Sequence, residues 1–193
     1  MPEIDSSLAG EWTFDPAHTR IGFSTRHAMV TKVRGAFNDI EGVIVVDADD
    51  PTKSTVKLTI QVASIDTRNA DRDGHLRTND FFDAPQFPEI VFVSKRIDQV
   101  EENSYIVNGD LTIKGVTKET AVPIEFIGVE KDPSGNLRAG FEGSRRIDRK
   151  EFGVNWNAAL DSGGVLVSDR ILLEFEISAV KTVADGDTDG DSD

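Results

Sequence analysis

Cysteine is absent from the 193-residue chain, which excludes disulfides and thiolate metal sites. Cationic residues are scarce: 21 Lys and Arg stand against 35 Asp and Glu, for a formal net charge of −14. A chain of that charge repels nucleic acid and anionic membrane surfaces, so neither is expected as a partner. Histidine occurs three times, and His18, His27 and His75 fall in no metal-ligand spacing, so no metal site is expected. No apolar run reaches the roughly 18 residues of a transmembrane helix, and none is expected. The opening MPEIDSSLAGEW has neither the basic nor the apolar region of a signal peptide, so the expected location is the cytoplasm. The glycine-rich phosphate loops G-x-G-x-x-G and G-K-[ST] are missing, and so is the G-x-S-x-G nucleophile elbow. Ser24 lies within a strand pattern rather than on a strained turn. No catalytic residue and no cofactor is therefore assigned.

What the chain does have is alternation. In STVKLTIQV, Val56, Leu58, Ile60 and Val62 share one face, and Lys57, Thr59 and Gln61 the other. RILLEFEISA sets Ile171, Leu173, Phe175 and Ile177 against Glu174, Glu176 and Ser178. TRIGFSTRH groups Ile21, Phe23, Thr25 and His27, which points His27 inward. Further runs bring together Tyr105, Val107, Leu111 and Ile113, then Val122, Ile124 and Phe126, then Leu137, Ala139 and Phe141. Two more strands are expected over 33–46 and 88–100, with turn signals such as DADDPTKS, VEENS and KDPSGN between runs. This pattern predicts about eight strands with short links, each with one apolar face. Successive antiparallel strands without helical crossovers give an all-β sandwich or a closed barrel. One domain over 1–183 is expected, followed by an acidic disordered tail over 184–193. Residues 185–193, DGDTDGDSD, carry five Asp and no apolar side chain. Asp185, Asp187, Asp189 and Gly190 imitate the start of a calcium loop, but the bidentate Glu that closes such a loop is missing.

One stretch breaks the alternation: TRNADRDGHLRTNDFF, residues 67–82. Asn69 suits a helix N-cap, Asp71 the first turn, and Asp73 and Arg77 an i,i+4 ion pair. Gly74 weakens the middle, and only Ala70 and Leu76 are apolar within it. Such a helix has to be tied by polar contacts or sit over an opening. Two basic spots could hold an anionic head group, Lys114 with Lys118 and Arg145, Arg146, Arg149 and Lys150 in SRRIDRK; a solvated loop is the first reading for the lysines, while the aromatic pair of RKEFGVNW beside Arg149 keeps both readings open for it. Phe23, Phe37, Phe92, Phe126, Phe141 and Phe175 are spread over many strands. Taken alone they fit a plain core first, and the lining of a ligand cavity in a barrel second.

Several ordered blocks resemble one family. WTFDPAHTRIGFSTRH, GAFNDIEG, IDTRNADRDGHLRTNDFFDAPQFPEIVFVS, VNGDLTIKGVTKE and IDRKEFGVNW are similar to the YceI-like family of polyisoprenoid-binding lipid carriers, over residues 12–179. The resemblance implies an extended antiparallel lipocalin-like β-barrel of about eight strands with a short capping helix. It implies a non-enzymatic protein whose apolar lumen holds a long-chain isoprenoid, either a polyprenyl lipid or an isoprenoid quinone. Relatives often pair, so a homodimer is compatible with it, and many relatives carry a signal peptide that this sequence lacks. The ligand-binding residues it implies, with the inward positions above, are Phe23, His27, Phe37, Leu58, Ile60, Leu76, Phe81, Phe82, Phe92, Phe126, Phe141, Arg149, Trp156 and Phe175. Arg72, Asp73, His75 and Arg77 are read as scaffold around Leu76, Phe81 and Phe82, with contact of His75 to a ligand left open. Two alternatives stand beside this reading. One is a small-molecule enzyme using His27 and His75 as acid and base in the same cavity. The other is a structural or stress-response barrel filled by its own side chains.

Overall fold

The computed structural model describes residues 6–183. The acidic tail expected over 184–193 lies outside the described residues. Among the described residues eleven strands form: β1 (Gly10–Phe14), β2 (Arg20–His27), β3 (Thr31–Phe37), β4 (Ile40–Val46), β5 (Thr55–Gln61), β6 (Ile65–Asp66), β7 (Glu89–Glu101), β8 (Ser104–Ile113), β9 (Val116–Lys131), β10 (Leu137–Asp148) and β11 (Arg170–Lys181). One short helix, α1 (Ala70–Leu76), falls in the polar stretch, as the spacing predicts. In space the strands run β1-β4-β5-β7-β8-β9-β10-β11, each pair antiparallel, and β11 pairs with β1 to close an eight-stranded barrel. The β11–β1 pairing closes the ring of eight strands, and β2, β3 and β6 continue from β11 as a side arm that ends at β6.

Three of the staves are broken. The C-terminal end of β11 pairs with β1 (Ala179↔Phe14), while its N-terminal half pairs with β2 (Leu172↔Ser24), so β1 and β2 act as one stave interrupted at 15–19. β3 and β4 make the second, and β5 and β6 the third. The expectation of one strand over 33–46 thus holds except for a break at Asn38 and Asp39. The first break is clasped by charge. Arg138 Nη1 donates to Asp15 Oδ2 at 2.7 Å and its Nε to Asp132 Oδ2 at 3.0 Å, while His18 Nδ1 lies 2.7 Å from Asp15 Oδ2. The Arg138 guanidinium, with His18 second, holds the Asp15 carboxyl at about 2, below its ordinary 3.8. Because the folded-state value is the lower one, the clasp stabilises fully above about pH 4 and is lost as pH falls towards about 2. Arg138→Ala is expected to lower the urea midpoint at about pH 5 and to lose less between there and pH 2 than the wild type. Parallel acid limbs in the two proteins would refute the assignment.

Two bulges set which side chains face inward. Ser94 pairs with Gly109 but Arg96 with Asn108, so Lys95 is the extra residue of β7. Inward positions therefore switch from Ile90 and Phe92 to Ile97 and Gln99. On β9 the register passes from Gly140↔Gly128 to Phe141↔Phe126, and Ile127 is squeezed outward, 56% exposed. Gly128 takes φ +157 there. Phe126 and Val129 then both face the lumen, although their numbers differ by an odd step.

The segment 67–88 lies between β6 and β7 at one end of the barrel, tied by polar bonds and by Leu76, Phe81, Phe82 and Ala84 packed on the core. Asn69 Oδ1 accepts from the Arg72 N–H at 2.9 Å, the N-cap expected from the sequence. The predicted Asp73–Arg77 pair does not form. Asp73 is buried and accepts from Thr67 N–H (2.8 Å) and Thr67 Oγ1 (2.5 Å). Arg77 donates to the carbonyls of Ala63 (3.1 Å) and Ile65 (3.5 Å). Buried backbone groups at this junction need partners, and satisfying them outweighs a surface i,i+4 ion pair of a few tenths of a kcal/mol.

Candidate lumen site

The barrel is not filled by its own side chains. A continuous cavity of about 470 Å³ runs along it, within the size range of small-molecule sites. Of the residues expected at a ligand, Phe23, Phe37, Leu58, Ile60, Leu76, Phe81, Phe82, Phe92, Phe126, Phe141, Arg149 and Phe175 line this cavity. Leu173 and Ile177 join Phe175 from β11, and Ala139 joins Phe141 from β10. Phe126 and Phe141 pack with ring centroids 5.5 Å apart on neighbouring strands. At the α1 end Phe23, Phe37 and Phe82 form a chain, with centroid spacings of 5.6 and 6.1 Å. The inward-facing residues Phe126, Phe141, Leu173, Phe175 and Ile177 are only half-buried, so the void lies against the β9–β11 wall.

Two expected site residues are elsewhere. His27 shares the parity of Phe23 and Thr25, but it is the last residue of β2, exposed, beside a turn that has run past the cavity. Parity says which way a side chain points, not whether the barrel still lies in front of it. Trp156 also misses the lumen. Its ring packs on His75 (4.8 Å) and Phe81 (5.3 Å), locking residues 149–169 onto the α1 segment. His75 is outside the lining as well, with Nε2 2.8 Å from Asp80 Oδ2 and its ring edge-to-face with Phe81 at 5.1 Å. The acid–base alternative thus has neither of its histidines in the cavity. His75→Ala removes one hydrogen bond and two ring contacts, worth about 1–2 kcal/mol. A fall in Tm of about 2–8 °C is expected, with ligand affinity changed less than about twofold. A larger loss of affinity than of stability would place His75 at the ligand.

Arg149 lines the cavity and is only 5% exposed. Its donors are committed. Nε donates to the Ser168 carbonyl (3.0 Å), Nη1 to those of Val154 (2.7 Å) and Trp156 (2.9 Å), and Nη2 to that of Val167 (3.3 Å). Asp169 Oδ1 lies 3.8 Å from Nη2. Burial pushes the guanidinium down from its ordinary value, while Asp169 and Asp148 push the other way. Arg149 is therefore a clamp on the 149–169 segment, not a free cation. Asn157 adds a second clamp, donating to the Val167 carbonyl (2.7 Å) and accepting from the Val167 N–H (3.0 Å). Lys114, the other proposed anion contact, donates to the Asn79 carbonyl at 2.9 Å and does not line the lumen.

The opposite end is where the lining reaches the surface. Among all described lining residues, only Glu102 and Asn103, in the β7–β8 turn, are exposed. Gln99 and Tyr105, register partners on β7 and β8, line the lumen just inside that turn. By contrast Phe81, Phe152, Val154 and Arg149 at the α1 end are buried.

The YceI-like domain matches residues 12–179. The chain belongs to the YceI-like family. A UPF0312 protein of Staphylococcus epidermidis is 41% identical over 170 residues, covering 88% of this chain and 95% of its own length. The crystal structure of BcnA from Burkholderia cenocepacia superposes with a TM-score of 0.75 at 26% identity, over 86% of this chain and 98% of that one. A polyisoprenoid binding domain from Saccharophagus degradans shares the fold at 12% identity and a TM-score of 0.69, over 89% and 98%.

Several lining residues of this YceI-like barrel escaped the sequence reading. Tyr105 has the right parity, which by itself identifies only the inner face of its strand. Gln99 could not be found by alternation, because the bulge at Lys95 changes the parity ahead of it. Glu102 and Asn103 read as an ordinary turn, and nothing local marks that turn as the rim of a cavity.

Proposed function

We propose that this protein sequesters or carries a long-chain isoprenoid, a polyprenyl lipid or an isoprenoid quinone, with the hydrocarbon tail in the barrel lumen. The observation that carries the proposal is the continuous apolar cavity from the β7–β8 turn to the aromatic residues beneath α1. The shared fold of a domain described as polyisoprenoid-binding supports it. The energetics favour a chain-shaped guest. Each buried methylene contributes about 0.8 kcal/mol, so twenty carbons offer roughly 16 kcal/mol gross. Lost translational freedom and the ordering of a flexible chain offset much of that, leaving ordinary affinities. The acidic exterior keeps a protein with a greasy interior dispersed. Binding, rather than turnover, is the activity that this lining suits.

Organic extraction of the purified protein followed by mass spectrometry tests the proposal. A long isoprenoid at close to one per protein is the expected result. Protein that carries no lipid, and takes up no isoprenoid from detergent or vesicles, would overturn it.

A further inference from the structure

The head group of the bound lipid can be narrowed, and the narrowing rests on the proposed lipid-binding reading. We propose that the rim at the β7–β8 turn selects an uncharged, hydrogen-bonding head group and discriminates against phosphate- and diphosphate-ended chains.

Tyr105 and Gln99 face each other across β7 and β8 at this rim. Tyr105 is the only tyrosine in the chain and lines the lumen next to the exposed turn. Among the described residues its hydroxyl has no hydrogen-bond partner. Burial raises the Tyr105 pKa, so at neutral pH the phenol stays protonated and can donate. Gln99 stands directly across the strand pair, with Nε2 donating to the Glu102 carbonyl at 3.2 Å. That bond fixes the side chain and leaves its amide oxygen to accept. A donor and an acceptor side by side at the end of an apolar tunnel match a hydroxyl or carbonyl group on a chain end.

An anionic head drawn to this rim would lose water and needs a cation to replace it. Arg149 is the only Lys or Arg among the described lining residues, and its donors are held by backbone carbonyls at the other end. The nearby cations of β7 are also engaged outside the lining, Arg96 with Asp98 at 3.1 Å and Lys95 with Asp110 at 3.2 Å. The rim itself offers the carboxylate of Glu102. The β4–β5 connection at this end carries Asp47, Asp49 and Asp50 against Lys53, while Asp132 of the β9–β10 turn is paired with Arg138. A field of that sign repels phosphate before any contact is made.

Displacement of a hydrocarbon-tailed fluorescent dye from lipid-stripped full-length protein tests this, with four competitors of one chain length: the alcohol, the monophosphate, the diphosphate and the chain with no head group. The alcohol is expected to bind at least about tenfold more tightly than either phosphate at low salt, with the gap narrowing as salt screens the rim. Glu102→Gln should narrow it too. Tyr105→Phe should weaken the alcohol by about two- to tenfold and leave the headless chain unchanged, as expected for one hydrogen bond. Phosphates binding as well as the alcohol, or an alcohol indifferent to Tyr105→Phe, would overturn the head-group inference while leaving the lipid reading intact. If no competitor, the headless chain included, displaces the dye, the lipid reading fails and the inference falls with it.

Discussion

Arg149→Met is expected to lower stability by about 3–5 kcal/mol, the cost of leaving buried polar groups unpaired. Four carbonyls, from Val154, Trp156, Val167 and Ser168, converge on this one guanidinium. Without it the acceptors remain in the wall and few donors can replace the fork. For a domain of this size the loss corresponds to roughly 6–20 °C in Tm. Arg149→Lys is expected to recover less than half of it, because a point-like ammonium cannot span acceptors arranged around a planar group. The damage should concentrate in residues 149–169, where amide exchange would speed up ahead of the barrel strands. A Met variant melting within about 2 °C of the wild type would show that solvent or relaxation satisfies those carbonyls, and that the clamp is dispensable.

Leu173→Trp is expected to weaken long-chain binding sharply while leaving the barrel folded. Leu173 sits in the N-terminal third of β11, paired with Phe23 on one side and Arg145 on the other, and its half-buried side chain faces the void. An indole there projects into empty space rather than into packed neighbours, so Tm should move by only a few degrees. The ring would displace about three methylenes of a bound chain, or roughly 2–3 kcal/mol. That is an affinity loss of about 30- to 150-fold. Chains short enough to stop before Leu173 should bind as before, and this length dependence separates a blocked tunnel from a damaged protein. Long and short chains weakened equally would count against the lumen as the binding place.

Much of the architecture is legible along the chain because a half-buried strand must alternate. Val56, Leu58 and Ile60 on β5, or Leu173, Phe175 and Ile177 on β11, announce their inner face without any tertiary information. Asn69 announces its helix start for a similarly local reason, since a free N–H two or three residues on needs an acceptor close by. His27, Gln99 and the Asp73–Arg77 pair mark where local reading runs out. His27 obeys the parity and still lies beyond the cavity, Gln99 reaches it only through a bulge, and Asp73 turns back to Thr67 instead of forward to Arg77. Trp156 and Arg149 sit in one motif, yet one locks two loops together and the other clamps backbone carbonyls inside the wall.

The sequence by itself determined the all-β class, most of the inner faces and the net acidity, because each follows from periodicity and composition over a few residues at a time. Only the tertiary structure decided that the strands close on themselves, that the closed wall encloses an empty tunnel, and that this tunnel reaches the surface at Glu102 and Asn103. A cavity is space that distant side chains leave unfilled once the staves are joined. Its size and its opening depend on bulges and broken strands whose consequences appear only when residues far apart in the chain are brought face to face.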